Sequence, residues 1–404
     1  MKPHIAAVVF LALHALPSPA DEWPGWRGPF GTGVSNEKNP PIEWSANNKV
    51  RWKIPLRGAG VSTPVVWGER VFITASDGRQ DNRLHVYCFH RDNGRLLWHS
   101  QFFGSSIPVW YFPAGGMAVP TPATDGERLY TLFGSGDLIC LDFEGRPVWI
   151  RSLANEYGPF RNRWGMAASP LLIGDMLVVL VDHWGPSYLL AVDTRTGQNL
   201  WRTARDTSAN WSSPVAAGVA GKTQIITSAS FKIQGYDAKT GKELWSVGGV
   251  QMQCIPTPVV HEGKVFAVSG RKGQNVAIRL SERVTEKDVI WKETRGAPNI
   301  PSALCYGKYY YTIEDAGFAT CFEADTGKQV WRERMGGRYQ ASLIAADGKI
   351  YFTNLAGEIK VIRAGPKFEL LARNDLGEEI VATPALAHGR LFIRTRGHLF
   401  CIGR

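Results

Sequence analysis

The residues able to do chemistry in this chain are few and dispersed. Its 404 residues include six cysteines and nine histidines, and no cysteine neighbours another. His85 and His90 are an odd number of residues apart, which on a strand sends them to opposite faces, and His261-Glu262-Gly263 reads as an outer turn, so no zinc site is expected. Asp182-His183-Trp184 has the makings of an acid–base pair, but its place between two strands reads as a satisfied turn. Gly28-Pro29-Phe30-Gly31-Thr32-Gly33 has the composition of a phosphate loop without the preceding strand and following helix that would aim its amides. There is no Gly-x-Ser-x-Gly elbow and no Asp-x-Asp-x-Asp-Gly calcium loop. No catalytic residue and no metal ligand is therefore assigned.

What would position any site is a repeat. A small-Pro pair followed by apolar residues recurs at Thr63-Pro64, Thr121-Pro122, Ser169-Pro170, Ser213-Pro214, Thr257-Pro258 and Thr383-Pro384, with Ser302-Ala303 and Ser342-Leu343 as degenerate copies. Most copies lead through a Gly-containing turn to a β-rich run such as Val71-Phe72-Ile73 or Tyr309-Tyr310-Tyr311. A third strand then enters an acidic-x-x-Thr-Gly turn and a Trp, clearest at Asp193 to Gly197 with Trp201, Asp237 to Gly241 with Trp245, and Asp325-Thr326-Gly327 with Trp331. Weaker copies end at Trp98, Trp149 and Trp291, and the seventh ends near Ala372-Arg373 without its Trp. Four short strands per repeat of 40 to 50 residues are the mark of propeller blades, since one blade alone cannot bury both faces.

The last repeat stops after its third strand at Arg404, whereas Val50-Arg51-Trp52-Lys53-Ile54 carries a Trp ahead of the first small-Pro pair. The expected fold is therefore all-β: an eight-bladed β-propeller of four-stranded antiparallel blades, closed by pairing of this N-terminal strand with the C-terminal blade. Residues 50–404 form the single propeller and 21–49 an N-terminal extension. Lys2, the apolar run Ile5 to Leu16 and Ser18-Pro19-Ala20 read as a secretory signal peptide over 1–20. Export to the periplasm or the exterior follows, with no transmembrane segment. The charge of +10, or +9 without Lys2, is spread over all repeats, so no nucleic-acid partner is expected.

Cys88, Cys140, Cys321 and Cys401 occupy one third-strand slot where other repeats carry Ala191 and Gly235. Packed sheets lie about 10 Å apart, beyond the roughly 7 Å Cα separation a disulfide tolerates. Cys254 and Cys305 lie on first strands, and six free thiols are expected.

The Asp-x-x-Thr-Gly-x-x-x-Trp pattern resembles the tryptophan-docking motif of the pyrroloquinoline-quinone (PQQ) repeat family over almost all of the chain after Asn48. Trp23-Pro24-Gly25-Trp26-Arg27-Gly28-Pro29 resembles the start of its secreted bacterial members. The resemblance implies that Trp52, Trp98, Trp149, Trp201, Trp245, Trp291 and Trp331 dock between blades. The family holds quinoprotein dehydrogenases that bind PQQ with calcium and protein-binding propellers such as outer-membrane assembly factors of the BamB type. The dehydrogenases carry two adjacent cysteines at the cofactor, which this chain lacks.

Residues ahead of the innermost strands gather at one mouth of a propeller's channel. The expected ligand-binding set is Trp110, Tyr111, Phe160, Arg161, Arg163, Trp164, Asn210, Trp211, Gln253, Asn299, Arg338, Gln340 and Glu379. Rigid aromatics beside Arg and amides suit a protein or polymer chain. The sequence thus reads as an exported, monomeric, non-catalytic scaffold without a cofactor, binding an envelope or secreted protein or a polysaccharide. The alternative is a PQQ- and calcium-dependent oxidoreductase acting on an alcohol or sugar.

Overall fold

The computed structural model describes residues 21–108, 115–269 and 273–403. The expected signal peptide, 1–20, lies outside them. Eight sheets follow one another along the chain, each built on four antiparallel strands; in seven of them these run in sequence order from the axis outward, and the eighth takes its outermost strand from the N-terminal side. Blade 1 is Val65–Trp67, Arg70–Asp77, Arg83–His90 and Leu96–Phe103. Its two middle strands are buried on both faces, as their near-continuous apolar runs require, while the outermost alternates between exposed and half-buried positions. The other blades repeat this gradient.

Blade 8 is closed as expected. Its three strands Ala385–Ala387, Arg390–Arg394 and His398–Ile402 receive Val50–Pro55 as their outermost member, with Trp52 opposite Cys401 and Ile54 opposite Leu399. The Lys53 ammonium, 2.7 Å from Glu378, adds an ion pair to this join.

The register explains the shared cysteine slot. Each docking tryptophan stands directly across from a small residue of the third strand: Trp98 from Cys88, Trp149 from Cys140, Trp201 from Ala191, Trp245 from Gly235, Trp291 from Ala277 and Trp331 from Cys321. In blade 7, where Ala372 takes the tryptophan position, its partner grows to Val361. Large and small trade places within each pair, so the interblade layer stays filled. All six cysteines are unpaired and buried.

From most of these pairs the indole reaches the next blade. Trp52 donates to Arg91 O at 2.9 Å, Trp98 to Phe143 O at 2.7 Å, Trp149 to Thr194 O at 2.9 Å, Trp201 to Ala238 O at 3.0 Å, Trp291 to Ala324 O at 2.8 Å and Trp331 to Gly365 O at 3.1 Å. The turn glycine is needed for contact as well as for its positive φ: a Cβ on Gly241 would lie 2.3 Å from the Trp201 ring, and one on Gly197 2.7 Å from Trp149. Trp245 differs. It donates to Gln224 Oε1 of its own blade at 2.8 Å, and Gln224 Nε2 relays to Ser281 O at 3.0 Å. The corresponding connection of blade 5, residues 280–288, has no glycine on which an indole could lie.

Candidate functional site

The small-Pro hydroxyls, which look like turn formers in the sequence, form a necklace around the axis. The Thr63 N–H donates to Thr121 Oγ1 (3.0 Å), Thr121 to Ser169 (3.0 Å) and Ser169 to Ser213 (2.9 Å). After an interruption between blades 4 and 5, Thr257 donates to Ser302 (3.0 Å), Ser302 to Ser342 (2.9 Å) and Ser342 to Thr383 (2.9 Å). These six buried amides are each satisfied by the neighbouring blade, which ties the inner strands into a ring.

The N-terminal extension seals one end of this bore. Trp23 exchanges two 3.0 Å backbone hydrogen bonds with Val66 of blade 1, and Pro24 O accepts from Thr124 N of blade 2 at 2.8 Å. Trp26 Nε1 donates to Thr257 Oγ1 of blade 5 at 2.8 Å. Arg27, fully buried, donates to Ala303 O at 2.5 Å and Leu343 O at 2.6 Å, spanning blades 6 and 7. With no carboxylate beside it, burial pulls its guanidinium down to about 9. Val34–Ser35 then adds in parallel to the inner edge strand of blade 7, Ile344–Ala346.

The result is a cup. Its cavity of about 200 Å³ has Trp26 in its lining, and Trp26 also lines a second cleft of about 300 Å³ beneath the extension. One level of the wall is one position repeated eight times, two residues before each small-Pro residue (Val61, Val119, Ala167, Trp211, Ile255, Ile300, Gln340 and Val381), and the next level is the hydroxyl residues themselves from Thr121 to Thr383. The first of these rings is mainly apolar, with the amide of Gln340 as its one polar side chain. Trp164 stands at the open side, 42% exposed, under the Arg163 guanidinium 5.1 Å from its ring.

Of the expected mouth residues, Trp164, Trp211 and Gln340 come together on the cup. Trp211 is held there by its indole, which donates to Gly165 O at 2.8 Å. Phe160 turns into the core between blades 2 and 3 and meets the His183 ring edge-on. Asn210 is buried, donating to Asp182 Oδ2 at 3.2 Å and accepting from Cys254 N at 3.0 Å. Arg161, Arg163, Arg338 and Glu379 are exposed and Gln253 and Asn299 half-buried in the same entry loops. Glu379 is engaged by Arg396 at 2.9 and 3.0 Å. Trp110 and Tyr111 lie outside the described residues.

Asp182 and His183 are a satisfied turn. Asp182 receives both arms of the buried Arg205 guanidinium, at 2.8 and 3.1 Å. His183 Nδ1 instead accepts the Arg161 N–H at 2.9 Å, and burial lowers its imidazole pKa. Every proton site of the pair is committed to packing.

A family model described as outer membrane protein assembly factor BamB matches residues 34–101 and 80–332. Among curated proteins, the tetrathionate hydrolase of Acidithiobacillus ferrooxidans is 26% identical over 303 residues, covering 67% of this chain and 53% of that protein. The outer membrane protein assembly factor BamB of Burkholderia pseudomallei is 25% identical over 217 residues, 42% of this chain and 52% of its own length. The chain thus spans about half the length of the curated relatives it matches. Among solved structures, BamB from Moraxella catarrhalis superposes with a TM-score of 0.63 at 13% identity, covering 88% of this chain and 99% of that one. A europium-containing methanol dehydrogenase gives 0.71 at 11% identity over 95% and 91%. At these identities the likeness is one of fold.

Proposed function

The chain belongs to the family whose model is described as outer membrane protein assembly factor BamB, and from that premise we propose that it is an exported scaffold that binds an envelope protein at the open mouth of its cup. The observation that carries this reading is the one-ended channel. The extension spends a fully buried Arg27 and the Trp26–Thr257 hydrogen bond on closing one end, while the opposite end presents Trp164 and the exposed Arg161 and Arg163. Aromatic and guanidinium groups together at a concave surface are the groups that anchor protein partners. The test is capture from an envelope extract by the purified chain: Trp164→Ala and Arg161→Ala should fold normally and lose the partner that wild type retains. Equal capture by the variants would refute the mouth as the site.

A second reading rests on the fold it shares with the methanol dehydrogenase, namely redox chemistry on a bound quinone. The cup does not suit a quinone held with calcium. Among the described residues its lining contains no carboxylate and a single amide, and no group of three or more His, Cys, Asp or Glu that could hold a metal comes together. Addition of PQQ with calcium should give no bound-quinone absorbance and no dye reduction with an alcohol; either signal would restore this reading.

A further inference from the structure

Two arginines are fully buried near the entry side of the ring, and they differ in one respect. Arg205 is matched by the carboxylate of Asp182 at 2.8 Å. Arg394 of blade 8 has no acidic partner. Its Nη1 donates to Ser62 Oγ at 2.9 Å and to Thr74 O at 2.7 Å, both neutral acceptors in blade 1 and its entry. Arg27 at the sealed end is likewise held by neutral acceptors, but both of its terminal nitrogens donate to carbonyls, whereas only Nη1 of Arg394 does so and Arg394 borders a cavity; a buried cation so placed is costly until an anion completes it.

Space for that anion exists. Arg394 lines a cavity of about 40 Å³ together with Gly60, Gly115 and Thr395, large enough for a few water-sized atoms. Gly60 lies against the free end of the guanidinium: a Cβ there would lie 2.5 Å from Nη2. The cavity shares Val61 and Val381, members of the mainly apolar ring, and Gly115 with the larger cup, so the two are adjoining chambers.

We propose that the chamber at Arg394 is a carboxylate subsite of the cup, taking the C-terminal carboxylate of a partner whose last, apolar side chain fills the larger chamber. This rests on the reading of the mouth as a protein-binding site and names what it would grip. A chain end offers side chain and carboxylate from one Cα, which matches a large apolar chamber opening beside a small cationic one. Guanidinium against carboxylate also supplies charge-assisted, paired hydrogen bonds.

Because Trp26, Trp164 and Trp211 line the cup, their fluorescence reports occupancy. Titration with N-acetylglycyl-phenylalanine as the free acid should give a Kd at least about tenfold below that of its carboxamide, since the site is built to hold the charged group. Arg394→Met should weaken the acid to the level of the amide and leave the amide unchanged. Gly60→Ala keeps the arginine but crowds Nη2, and should do the same, which guards against a folding defect of the first variant. Equal affinities for acid and amide in wild type, or a preference that survives both variants, would overturn the subsite. So would tight binding of 3-phenylpropionate without binding of the peptide acid, which would assign the chamber to a small carboxylate. Loss of the acid preference with envelope capture intact would sink the subsite alone, whereas capture unaffected by Trp164→Ala would sink the mouth reading.

Discussion

Trp26 donates its indole N–H to Thr257 Oγ1 at 2.8 Å, so a residue of the N-terminal extension joins the hydroxyl necklace at the fifth blade. Here the Ser213 and Thr257 pair breaks the pattern of its neighbours, and the extension inserts a donor instead. Removing either partner should cost about 1 kcal/mol, and the Trp26→Phe, Thr257→Val double variant should cost little more than one of them. Urea unfolding of the four proteins measures that coupling, and strict additivity would show that Trp26 is merely packed there.

Trp23 anchors the same extension and is completely buried. Trp23→Ala should cost about 3 to 5 kcal/mol by denaturant unfolding. Trp23→Phe should cost much less than Trp23→Ala, because the indole nitrogen has no acceptor to lose.

Gly241 and Gly174 both hold positive φ, +70° and +54°, but only Gly241 is covered by a ring, that of Trp201; a Cβ on Gly174 meets nothing within 4 Å. Gly174→Ala should therefore show only the backbone penalty of about 1 to 2 kcal/mol. Gly241→Ala should exceed it by a further 1 to 3 kcal/mol or so from overpacking. Equal losses would mean that the indole is not docked on the turn.

The closing blade should be sensitive to acid. Burial opposes ionisation of Glu378, but hydrogen bonds from Lys53, Thr395 and His398 outweigh it and hold the carboxyl at about 2 instead of 4.5. The hydrogen bond from Arg390 does the same for Asp92, from 3.8 to about 2. Both carboxyls are depressed in the folded ring, so their contribution is complete above about 4.5 and is lost as pH falls toward 2. Thermal midpoints between pH 6 and pH 3 should drop less steeply for Glu378→Gln than for wild type; parallel curves would contradict the assignment.

Burial pushes the thiols of Cys88, Cys140, Cys254, Cys321 and Cys401 up to about 12. At pH 8 the native protein should release almost no chromophore from Ellman's reagent, and all six cysteines should react after unfolding. Rapid labelling of the native chain would show that the interblade slots open.

The blades, their number and the closing strand were legible because each follows from a local pattern repeated eight times, and repetition makes a weak signal strong. The seal at the base was not. Trp26 and Arg27 carry no periodicity, and their partners Thr257 and Leu343 are more than 200 residues away, set by tertiary placement alone. The cup wall does carry a periodic signal, the position two before each small-Pro hydroxyl. Polar and aromatic character does not mark that wall: of the entry residues, Asn210 and Phe160 point into the core, because an entry loop must bury some side chains to hold others out. Trp245 illustrates the same limit, since its acceptor depends on the glycine-free turn of the next blade.

The most direct test of a one-ended binding cup is site-specific photo-cross-linking in cells. A photoreactive side chain placed at Trp164, on the open face, should yield adducts with a discrete envelope protein, whereas one at Phe30, 54% exposed on the sealed face, should yield none. Adducts from position 30, or none from 164, would contradict the account.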